Sequence, residues 1–95
     1  MPYGKKPVTY SRAIPRLVDA LPSAVMSALG EGSKEVVKAR HKRAGTPYIE
    51  FKREITHIIG TLLLEIELYG INTHEADVNE LRALLKEIHG GAYVC

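Results

Sequence analysis

With 95 residues, 45% of them hydrophobic and 25% charged, the chain has enough apolar material for one small core and too much for a disordered tail. The formal net charge of +2 hides an uneven distribution: residues 1–46 carry nine Lys/Arg against three Asp/Glu, and residues 47–95 carry four against eight. Apolar runs such as Leu62-Leu63-Leu64 fall far short of the ~18 residues that cross a bilayer, and a single cysteine, Cys95, excludes an internal disulfide or a multi-cysteine metal site. No early apolar block precedes a small-residue cleavage pattern, so an intracellular, cytoplasmic protein without membrane contact is expected.

Residues 1–10 hold two prolines and a glycine with no helical period, which predicts an extended arm made basic by Lys5 and Lys6, with Tyr3 and Tyr10 beside them. Residues 11–95 are then expected to form a single helical domain. From Ser11 the apolar positions Ile14, Leu17, Val18, Leu21, Val25, Met26 and Leu29 recur at helical spacing. Pro15 and Pro22 interrupt the hydrogen-bond ladder there, so the sequence predicts a break near Leu21 with Pro22 opening the second piece.

Gly30-Glu31-Gly32 ends that segment, and Ser33 is placed to cap a helix running to about Arg43. Ala44-Gly45 stops it, and Thr46-Pro47 reads as a new start, with threonine as cap and proline in the first turn. The helix of residues 47–69 carries the most complete apolar stripe in the chain: Tyr48, Phe51, Ile55, Ile58, Ile59, Leu62, Leu63, Ile66 and Tyr69. Gly70 is its expected left-handed stop. Asn72 or Thr73 is expected to cap a last helix over 74–89, whose Val78, Leu81, Leu84, Leu85 and Ile88 form one face before Gly90-Gly91 closes it. No segment has the alternating period of a strand. The predicted fold is therefore all-α, a small bundle of about four helices built on an antiparallel hairpin of 47–69 with 74–89.

Leu64 and Leu68 lie opposite the main stripe, in line with Gly60 and Thr61. Either the N-terminal helices cover this side, or it is the seam of a homo-oligomer.

Lys34, Lys38 and Lys42 recur every four residues on one helical face, with Arg40, His41 and Arg43 beside them, which predicts a positive ridge. Such a ridge can neutralise phosphates, with the arm adding backbone contacts or base stacking. No docking element for sequence-specific base readout is recognisable. The same charges could instead meet an acidic protein, or pair with Glu80 and Glu87 of the acidic half.

Glu54-Ile55-Thr56-His57 has the carboxylate-x-x-histidine spacing that places two metal ligands on one side of a helix. Both residues project away from the apolar stripe, so an inward metal site would require an oligomer seam on that face, with Glu31 or Glu35 as further ligands. The serines occupy helix starts and surfaces without a nucleophile turn, and no glycine-rich loop follows a strand. Neither catalysis nor a resident cofactor is expected. The sequence thus points to a non-enzymatic regulatory or structural protein that binds nucleic acid or an acidic partner through its basic half and forms a homo-oligomer or joins a larger assembly. The alternatives are a purely architectural subunit and a metal-binding helical bundle.

Overall fold

The computed structural model of the chain describes residues 12–70 and 75–94. They form five helices, with no strand among the described residues: α1 (Ala13–Ala20), α2 (Ser23–Leu29), α3 (Lys34–Ala44), α4 (Tyr48–Tyr69) and α5 (Glu75–His89). The proposed arm of residues 1–10 and the capping positions Asn72 and Thr73 lie outside the described residues. No described helix is long and apolar enough to cross a membrane.

The fifth helix arises at Pro22. A proline disfavours helical geometry in the residue before it, and Leu21 turns extended at φ −71°, ψ 128°. Pro22 is itself extended and becomes the cap of α2 rather than its first helical residue. Pro15 does not break α1. It is the third residue of that helix, where the missing N–H is one of the first four that have no acceptor within the helix.

The predicted stops hold. Gly30, Gly45 and Gly70 sit in the left-handed region at φ 69°, 66° and 60°, where a side chain would be strained. Ser33 caps α3 by accepting from the Val36 N–H at 3.3 Å. At the other end of α3 the Gly45 N–H donates to the Lys42 carbonyl, and the Thr46 N–H reaches back to the His41 carbonyl at 3.1 Å. This double closure satisfies carbonyls that the helix leaves unpaired. The same geometry recurs after α5, where Gly91 and Ala92 donate to the carbonyls of Ile88 and Glu87.

The core joins Ile14, Leu17, Val18, Leu21, Val25 and Val37 of the N-terminal helices to Phe51, Ile55 and Ile59 of α4 and to Leu81, Leu84 and Ile88 of α5. α5 packs along α4, α1 lies between α3 and α4, and α2 crosses α4. The hairpin is the centre, as the sequence predicts. Of its stripe, however, only Phe51, Ile55 and Ile59 are fully buried; Tyr48, Ile58, Leu62, Leu63 and Ile66 are partly covered, and Tyr69 is 74% exposed. Length explains the difference. At 1.5 Å per residue α4 runs about 33 Å, whereas α1 and α2 run only about 12 and 10 Å, so they cannot cover it end to end.

Candidate nucleic-acid interface

The basic ridge divides into two parts. Its first two lysines converge on the C-terminal end of α1: Lys34 Nζ donates to the Asp19 carbonyl at 2.8 Å, and Lys38 Nζ lies 2.7 Å from Asp19 Oδ1 and 3.9 Å from Glu35 Oε2. The last turn of α1 has no basic residue of its own, so these ammonium groups supply the positive charge that a helix C-terminus attracts. Arg40 pairs with Glu31 in the loop before α3. Lys42 and Arg43, in the last turn, are exposed and make no ion pair among the described residues. Lys5 and Lys6 lie outside the described residues.

The acidic helix α5 packs on α4 and α3 packs on α1, so the cations of α3 meet Asp19, Glu31 and Glu35 rather than Glu80 or Glu87. Asp19 remains largely exposed, and ion pairs of this kind contribute only ~0–1 kcal/mol each. A phosphate can therefore displace the Asp19 pair at small cost, whereas Glu31 is mostly covered and holds Arg40 more firmly.

His41 departs from the ridge. It follows Val37 by one helical turn on the inner side of α3 and is 5% exposed. Its ring meets Phe51 edge to face at 4.7 Å between centroids, and Nδ1 shares a 2.9 Å hydrogen bond with Thr46 Oγ1. Nε2 is buried without a partner among the described residues. Burial holds the imidazole below its usual titration range; the Arg40 charge acts in the same direction, and Glu31 and Glu54 oppose it. Thr46 accordingly does not cap α4. Its hydroxyl is turned back onto α3, and α4 starts from Pro47 with the carbonyl of that residue accepting from Glu50 and Phe51.

Glu54 and His57 are both exposed on α4. Glu31 and Glu35, the possible further ligands, are engaged by Arg40 and Lys38. Among the described residues no group of three or more His, Cys, Asp or Glu is gathered for a metal ion.

On the opposite side of α4 from the core, Gly60 and Thr61 are exposed, Leu64 is 53% exposed and Leu68 62%. Among the described residues, the N-terminal helices leave these leucines uncovered. One grouping was not legible in the sequence: Lys52, Arg53 and His57 of α4 share a groove with His89 of α5. Only the antiparallel packing of the hairpin brings position 89 beside the start of α4.

Comparison with protein-family models, curated proteins and solved structures finds no match to this chain.

Proposed function

We propose that the chain is a small, non-enzymatic helical binding protein, regulatory or structural, whose basic N-terminal half contacts the phosphate backbone of nucleic acid. The observation that supports this reading is the disposition of α3. Among the described residues Lys42 and Arg43 are exposed and make no ion pair, Lys34 and Lys38 are held at the exposed Asp19, where a phosphate can displace it, and the acidic helix α5 is packed elsewhere. The five cations of this 11-residue helix face three carboxylates, Asp19, Glu31 and Glu35, so the excess of positive charge lies at its C-terminal end, on Lys42 and Arg43. Such binding reads charge and spacing rather than base sequence. Replacing Lys42 and Arg43 by Glu tests it: binding to a labelled duplex should weaken with the helical circular dichroism unchanged, and unaltered affinity would refute the assignment. An acidic partner protein is the alternative target of the same face.

A second reading, an architectural subunit that assembles with copies of itself, draws on Leu64 and Leu68. Two large aliphatic side chains one helical turn apart and more than half exposed favour a covering surface, and Gly60 has open space where a Cβ would stand. The two readings are compatible, because α3 and this face of α4 are different surfaces.

A further inference from the structure

We propose that the groove between the first half of α4 and the end of α5 binds a small organic phosphate monoester. The groove is open to solvent, has a volume of about 410 Å³ and is lined by Ile49, Lys52, Arg53, Thr56, His57 and His89. That volume falls within the range of small-ligand sites. Four of the six side chains are basic and none is acidic, although this half of the chain carries twice as many carboxylates as Lys/Arg. Two of its four Lys/Arg are gathered in this one place.

These basic groups are also uncommitted. Glu50 and Glu54 lie within a turn of Lys52 and Arg53 on the same helix, yet no ion pair joins them among the described residues, and neither His57 nor His89 has a hydrogen-bond partner there. The negative end of α5, which would repel an anion, is blunted because Gly90, Gly91 and Ala92 donate to the carbonyls of Lys86, Ile88 and Glu87.

The chemistry of the lining selects the ligand class. A guanidinium presents two parallel N–H groups to two oxygens of one anion, the lysine adds a mobile ammonium, and the imidazoles and the threonine hydroxyl add directed donors. A carboxylate has two oxygens and a single charge. A phosphate monoester has three terminal oxygens and about −1.5 to −2 charges at neutral pH, enough acceptors to engage several of these side chains at once. Ile49, 58% exposed at the groove, offers an apolar surface for the organic part of the ligand. The site is independent of the α3 surface and stands or falls separately from nucleic-acid binding.

The test is a titration of the full chain with phenyl phosphate at fixed ionic strength, followed by NMR of the histidine side chains. His57 and His89 should shift saturably, while buried His41 serves as the internal control. Lys52→Gln with Arg53→Gln should weaken binding by about tenfold or more, the loss expected when charge-assisted hydrogen bonds are removed. Lys42→Gln with Arg43→Gln should leave it unchanged, and Ile49→Ser should reduce the affinity for phenyl phosphate toward that for inorganic phosphate. Absence of a saturable shift, or a shift insensitive to the Lys52/Arg53 double variant, would overturn the proposal. Equal affinity for inorganic and phenyl phosphate would overturn the assignment to an organic ester.

Discussion

Acidification should destabilise the protein through His41, and the effect has a definite sign and ceiling. In the folded chain the ring is 5% exposed, one nitrogen is committed to Thr46, and the other has no partner among the described residues, so a proton added there would create a charge beside Arg40 with little solvation. The folded state therefore binds this proton only below the ordinary histidine range, whereas the unfolded chain takes it up near pH 6.5. Between these two points the unfolded state holds more protons, and stability falls as the pH is lowered; above about pH 7 the term vanishes because both states are neutral. One proton sets the limit at about 1.4 kcal/mol per pH unit, so moving from pH 7.5 to 5.5 can cost at most about 1.4 kcal/mol. With a urea dependence of roughly 1 kcal/mol per molar for a chain of this size, the midpoint should fall by up to about 1.4 M. Urea titrations at the two pH values, followed by far-UV circular dichroism, would measure it for the parent and for His41→Gln, which cannot titrate. A shallower dependence in the variant is expected. The same dependence in both proteins, or a parent that gains stability on acidification, would refute the role given to His41.

Phe51→Ala removes a fully buried ring and its edge contact with His41, and should cost about 3–5 kcal/mol in a denaturant titration. A cost below 1 kcal/mol would contradict the placement of the core. Leu64→Glu with Leu68→Glu should leave the stability within about 0.5 kcal/mol, because both side chains are exposed, and should convert any dimer to monomer in sedimentation. Unfolding would contradict their exposure, and an unchanged mass would remove this face as a seam. Tyr93 donates to Glu87 Oε1 at 2.6 Å, and burial, with that bond and the Glu87 charge behind it, pushes its phenol up to about 12. Its contribution to stability is complete below about pH 10 and is lost as the pH rises through 12. Tyr93→Phe should delete an absorbance titration step at about pH 12, and a titration that keeps the step would contradict the assignment.

The boundaries of the helices were legible because they rest on local chemistry. Gly30, Gly45 and Gly70 provide left-handed stops, and the Ser33 hydroxyl reaches a backbone N–H three residues on; neither feature needs tertiary information. Thr46 had two competing uses, to cap the helix ahead or to close the helix behind, and the buried His41 one turn inside α3 decided for the second. That histidine follows Val37 by four residues, which places it on the inner side, but a helix with five Lys/Arg in 11 residues directs attention to its charged face. Tyr69 obeys the periodicity of the stripe and is nonetheless exposed, since periodicity gives direction and not the length of the helices that cover it. Likewise, the sequence marks Lys34 and Lys38 as members of a ridge, while their attachment to Asp19, 15 and 19 residues away, depends on how α1 and α3 pack. The basic groove is the extreme case, because His89 and Lys52 meet only through the hairpin.

The most direct test of the central claim is fluorescence anisotropy of a labelled duplex across a salt series. If the cations of α3 neutralise about three to five phosphates, the logarithm of affinity should fall with the logarithm of salt concentration with a slope of roughly −3 to −4.5, and Lys42→Glu with Arg43→Glu should flatten it. Absence of binding at low salt, or a slope that the double variant leaves unchanged, would contradict the assignment of α3 as a nucleic-acid surface.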